Sequence, residues 1–185
     1  MPPQDHGQGQ QQSIFYRLAN GDIPSKTVFQ NKSFRAILDK QPAAPGHILI
    51  IPKEQVQITP QFTPEMNADL AEAIKQSSHA LLKGLDATGT SVFIANGGVA
   101  GQNAPQSLIH VIPREEHDSI GLKPQPQRID DEAFDEAANR LKAALGVSDD
   151  EARHDTSQET TPEESEHKPR DENDVDLDSV QDKFL

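Results

Sequence analysis

Gly101-Gln102-Asn103-Ala104-Pro105-Gln106-Ser107-Leu108-Ile109-His110-Val111-Ile112-Pro113-Arg114 is the stretch on which the reading of this chain turns. A Gly-Gln turn runs into a strand. Side chains alternate along a strand, so Gln106, Leu108 and His110 share one face while Ser107, Ile109 and Val111 share the other. A polar-capable row set against an apolar row predicts a half-buried strand that presents Gln106 and His110 to a cleft.

Upstream, Thr90-Ser91-Val92-Phe93-Ile94-Ala95 reads as a strand joined to this one by a Gly97-Gly98 loop. Before it, residues 62–85 carry the clearest helical pattern. Thr63 can cap, Pro64 suits the first helical position, Glu65 favours the positive end, and Met66, Leu70, Ile74, Leu81 and Leu85 recur on one side. His47-Ile48-Leu49-Ile50-Ile51-Pro52-Lys53 is apolar enough for a central strand, punctuated by Pro42 and Pro45-Gly46. Residues 27–30 and 34–39 read as a hairpin around Asn31-Lys32-Ser33, and residues 13–21 as a short helix stopped by Gly21. The sum is an antiparallel α+β domain of about five strands and one long helix over residues 13–117.

The flanks have a different composition. Residues 1–12 are rich in Gln, Gly and Pro and read as a disordered leader. Residues 118–147 form an extension with a second helix at 130–145, whose Phe134, Ala137, Leu141, Ala144 and Leu145 fall on one side. Residues 148–185 read as an acidic disordered tail. From Asp149 to Asp178 there are 13 acidic residues against 3 basic ones, so the tail accounts for most of the net charge of −13. Its apolar end, 175–185, is either a docking peptide for a protein partner or a frayed terminus.

With 34% apolar residues in 185, one ordinary core with polar extensions is expected. The chain has no cysteine, which excludes disulfides, thiolate metal sites and a thiol nucleophile. An acidic chain without a basic stripe argues against a nucleic-acid partner, because Lys and Arg supply most of that affinity. No segment approaches the roughly 20 apolar residues of a membrane span, so no membrane partner is expected. The first residues have neither a basic start nor an apolar run, and a cytoplasmic protein is expected.

The opening stretch resembles the signature of the histidine-triad (HIT) family, in which Gly-Gln is followed after three residues by His-x-His-x-His and then Ile-Pro-Arg. Here the row is degenerate: Gln106, Leu108, His110. The likeness continues in Ile14-Phe15 through Ile23-Pro24-Ser25, Leu38-Asp39 through Gly46-His47, Ile51-Pro52-Lys53, Asn96-Gly97 and Gly101-Gln102, covering about residues 13–114. The resemblance implies a nucleotide-binding fold that commonly forms a homodimer. It implies that Phe15, Leu18, Ile23 and Ile37 enclose a purine base and that Asp39 holds the ribose hydroxyls. It also places Asn96, Gln102, Asn103 and Gln106 near the phosphate of a nucleotide such as AMP, with His110 behind it. Read without it, the four apolar residues are ordinary core, Asp39 is a turn residue before Pro42, and Asn96 and Gln102 satisfy loop backbone.

In the family, the resemblance implies, the middle histidine attacks the α-phosphorus of a nucleoside phosphoramidate or polyphosphate, and water hydrolyses the nucleotidyl-histidine. That chemistry needs a nitrogen lone pair. Leu108 has none. His110 is the one candidate catalytic residue, but it stands roughly 6.5 to 7 Å further along the strand, far enough to lose attack geometry. Many relatives also carry Cys-x-x-Cys, which with a later His and the first triad His can hold zinc. Ser13, Tyr16 and Gln106 stand at three of those positions, so no metal and no cofactor is expected although His47 remains. The leading expectation is a purine-nucleotide-binding protein without covalent catalysis. The rivals are a nucleotide hydrolase using His110 and water, and an interaction scaffold.

Overall fold

The computed structural model describes residues 13–121 and 126–147, so the leader and the acidic tail expected at 1–12 and 148–185 lie outside the described residues. The order is α1 (Ile14–Asn20), β1 (Thr27–Gln30), β2 (Phe34–Leu38), β3 (Ile48–Pro52), α2 (Pro64–Gly84), β4 (Gly89–Ile94), β5 (Ile109–Arg114) and α3 (Asp131–Leu145). Short 3-10 turns sit at Thr59–Gln61 and Gly98–Ala100. The described residues 13–121 and 126–147 fall into two separate units, and α3 is the described helix of the second.

The caps behave as their chemistry dictates. Ser13 Oγ accepts the Tyr16 N–H at the start of α1, and Gly21 ends that helix in the left-handed conformation. Thr63 caps α2 with Pro64 at its first position, and Asp130 caps α3 through the Ala133 N–H.

The five strands form one antiparallel sheet in the order β1-β2-β3-β5-β4. This is the α+β architecture that the alternation predicts. One face carries Phe34, Ala36, Ile48, Ile50, Ile109 and Val111 and packs on Met66, Leu70, Ala73 and Leu81 of α2. Each large side chain buried there contributes about 1.5–3 kcal/mol. The opposite face carries Ile37, Leu49 and Ile51 under Ala19 of α1, with Phe15, Leu18 and Leu108 packed at the margin. That second, thinly covered face is where cavities form.

Hydrogen bonding of β5 begins at Ile109, three residues later than the reading that started the strand at Gln106. Ser107 N–H bonds the Val56 carbonyl (2.8 Å), and Pro105 has no N–H to offer. The side chain of Gln106 turns inward and is fully buried.

The loop between β2 and β3 is equally constrained. Asp39 N–H bonds the His47 carbonyl (2.9 Å) and His47 N–H bonds Ala44 (3.0 Å). Gly46 has φ +96°, and a Cβ there would run into Leu81 of α2 and Leu85 just past its end. The loop therefore sits tight on the helix, with Asp39 and His47 held side by side.

Candidate functional site

Two cavities flank α1 on the thin face of the sheet. The larger, about 730 Å³, is walled by Phe15 and Leu18 of α1, Ile23 from the following turn, Ile37 of β2 and Leu49 of β3. Asp39 stands at its rim with Lys26 and Lys40. All four residues that the resemblance gives to the base, and the acid it gives to the ribose, thus line one hollow. Asp39 Oδ1 accepts the Gln41 N–H (2.9 Å), which fixes the carboxylate as an acceptor.

The smaller cavity, about 480 Å³, opens over β4 and β5. His110 and Ile112 of β5 and Leu108 just before it line the cavity, with Phe93 and Ala95 from β4 and the residue beyond it, and Phe15 from α1. Gln102, Asn103 and Gln106 are its other polar lining residues; Asn96 is not among those that line it.

Most of the polar side chains expected at a phosphate are engaged elsewhere. Gln106 donates from Nε2 to the carbonyls of Pro52 (2.7 Å) and Glu54 (3.3 Å), and its Oε1 accepts the Ser13 hydroxyl (2.8 Å). Gln102 accepts the Gly97 N–H (2.7 Å) and donates to the carbonyls of Gln57 (2.7 Å) and Ala104 (3.1 Å). Asn96 accepts from the N–H and hydroxyl of Thr59. Among the described residues, neither the Asn103 side chain nor His110 Nε2 makes a hydrogen bond.

His47 and His110 form a relay that neither sequence pattern nor spacing displays. Ala43 N–H donates to His47 Nδ1 (3.1 Å), so the proton of His47 sits on Nε2 and is donated to His110 Nδ1 (3.0 Å). That leaves His110 Nε2 as an N–H donor. Their rings are 5.2 Å apart, and Phe93 lies 6.0 Å from His110 on the other side, opposite it in the β4–β5 register. Burial pushes His110 below the ordinary imidazole value, His47 adds to this, and Asp39 opposes it. Burial likewise lowers His47 against the pull of Asp39 at 3.7 Å. Both rings are read as neutral near pH 7, since the nitrogen facing Asp39 already accepts an N–H.

The sign of the resulting pH dependence follows. The unfolded chain binds protons near the ordinary imidazole pKa of about 6.5, and the folded chain binds them only at lower pH. Stability contributed by neutral rings is therefore present above about pH 6.5 and lost as pH falls toward the folded values. Thermal denaturation followed by circular dichroism should show a midpoint that drops between about pH 7.5 and 5.5. A His47→Gln, His110→Gln double variant should drop less; equal slopes would refute the assignment of the effect to this pair.

Asp39, His47 and His110 each offer one ligand atom within 4.8 Å of the others, the metal-capable group found among the described residues. The donors are poorly disposed for a cation, because one nitrogen of His47 accepts the Ala43 N–H and the other donates to His110. The positions that the resemblance links to zinc do not fit it either: Ser13 and Gln106 bond each other directly.

Beyond β5, Arg114 donates two 2.7 Å bonds to the Asp118 carboxylate, one to Ser91 Oγ (2.8 Å) and one to the Ile120 carbonyl (2.8 Å). This guanidinium holds the Asp118 carboxyl well below the usual carboxylate range. The brace turns the chain back so that Ile120 joins the wall of the smaller cavity.

Comparison with known proteins places this geometry in context. The HIT domain profile matches residues 20–117. The chain is 32% identical over 110 residues to an uncharacterized HIT-like protein of Methanocaldococcus jannaschii, covering 60% of this chain and 84% of that one. It is 28% identical over 128 residues to the adenylylsulfatase HINT3 of Arabidopsis thaliana, covering 67% of this chain and 65% of that one. Among solved structures, the histidine triad nucleotide-binding protein of Candida albicans superposes with a TM-score of 0.64 at 25% identity, over 73% of this chain and 98% of that one. No described helix is long and apolar enough to cross a membrane.

Proposed function

The chain belongs to the HIT-domain family, and on that premise we propose that it is a purine-nucleotide-binding protein that has lost the family's covalent step. The observation that carries the reading is Leu108. It lines the cavity in the place the signature gives to the nucleophile, between buried Gln106 and His110. A hydrocarbon side chain has no electron pair with which to attack phosphorus. The larger cavity, with its apolar walls and its rim carboxylate, retains what a nucleoside needs. Relatives named as an adenylylsulfatase and as a nucleotide-binding protein support the ligand class.

Hydrolysis by a His110-activated water is the weaker reading. A general base needs an open lone pair, and the one on His110 Nδ1 accepts from His47. Phosphorus NMR of adenosine phosphoramidate incubated with the protein should show broadened ligand lines and no AMP signal above the protein-free rate. An AMP signal that grows, and vanishes in His110→Ala, would overturn the proposal.

A further inference from the structure

We infer that Lys26 and Lys40, at the rim of the larger cavity, form a subsite for a phosphate carried on the ribose edge of the nucleoside, so that the protein takes adenosine esterified on its 3′ or 2′ oxygen in preference to adenosine itself. The inference deepens the nucleoside reading of that cavity and rests on it.

Asp39 decides which part of a nucleoside reaches the rim. With the base between the apolar walls and the carboxylate accepting a ribose hydroxyl, the 2′ and 3′ oxygens lie at the mouth, where Lys26 and Lys40 stand. Two segments bring the lysines to this spot. Lys40 follows Asp39 directly, and the Leu38 N–H donates to the Lys26 carbonyl (2.9 Å), which sets Lys26 across from the end of β2.

Neither ammonium group is committed within the fold. Both residues are exposed, and among the described residues neither side chain makes a hydrogen bond or an ion pair. Lys32 and Lys53 behave otherwise: the first pairs with Glu65, and the second donates to the Asn31 carbonyl. Asp39 draws on neither rim lysine, since its ion-pair contact is with His47 at 3.7 Å. Two uncommitted cations beside one carboxylate leave the rim with surplus positive charge, in a chain whose net charge is −13. A pair of neutral hydroxyls gains little from them. A phosphate ester on one of the two oxygens can bond both ammonium groups while Asp39 keeps the remaining hydroxyl.

Calorimetric titration of the full chain with adenosine, 3′-AMP and 2′-AMP at low salt tests the inference. At least one of the two phosphate isomers should bind about three- to tenfold more tightly than adenosine, the gain that two exposed charge pairs can supply. The tighter isomer identifies the oxygen. The gain should shrink at about 0.5 M NaCl, where exposed charges are screened, and the Lys26→Gln, Lys40→Gln double variant should close it. If adenosine binds and neither isomer binds more tightly, the inference is overturned whether or not the variant folds, and the nucleoside reading stands. A gain that persists in the folded double variant also overturns it, because the phosphate is then held elsewhere. If none of the three ligands binds, the nucleoside reading has failed and the inference falls with it.

Discussion

Gln106→Ala is expected to lower the unfolding free energy by about 3 kcal/mol, among the largest losses available to a polar residue in this chain. The side chain is fully buried and every polar atom it carries is used. Truncation strands the carbonyl of Pro52 and deprives the Ser13 hydroxyl of its acceptor, and it leaves a cavity where the amide had been. Each stranded group costs on the order of 1 to 3 kcal/mol, because water cannot reach the site to replace the lost partner. Denaturant titration should show a lower midpoint at unchanged slope. Ser13→Ala should cost about 1 kcal/mol through the lost cap. The double variant should cost less than the sum, since the two side chains share one bond. A loss below about 1 kcal/mol for Gln106→Ala alone would mean that the clamp between α1, the end of β3 and the approach to β5 is not what holds them.

The same residue shows where sequence reading stops. Helices and strands were legible because caps, turn residues and alternation are local: Thr63-Pro64, Gly21 and the alternation that sets Leu108 and His110 on one face each declare themselves within a few positions. Alternation puts Gln106 on the cleft side with His110, and it does line the cavity, fully buried. Parity does not reveal that a side-chain amide can bond a carbonyl 54 residues away and delay the start of the ladder. The contact of His47 with His110 spans 63 residues and depends on the β3–β5 register, in which Leu49 faces His110. Phe93 could have been found by pairing the alternation of β4 with that of β5, had their register been known. Ile120 carried no signal at all, because its position follows from the Arg114–Asp118 brace and not from any periodic pattern.

The residues of the larger cavity were legible only through the family resemblance, and its chemistry hangs on one carboxylate. Asp39→Asn is expected to weaken adenosine binding by about 10- to 100-fold, the loss that follows when hydrogen bonds to a charged acceptor worth about 1.5 to 3 kcal/mol become neutral or are misdirected. The substitution is nearly isosteric, and the amide oxygen can still accept the Gln41 N–H that orients the side chain. What changes is the outward atom: Asn can present an NH2 where the carboxylate presents a second acceptor, and a ribose diol needs two acceptors. Calorimetry with adenosine and 2′,3′-dideoxyadenosine separates this role from a structural one. The wild-type protein should discriminate strongly between the two ligands and Asp39→Asn hardly at all, because the group that senses the hydroxyls has gone. If the variant weakens both ligands by the same factor, Asp39 acts through its 3.7 Å approach to His47 and the shape of the loop, and the ribose must be held by something else.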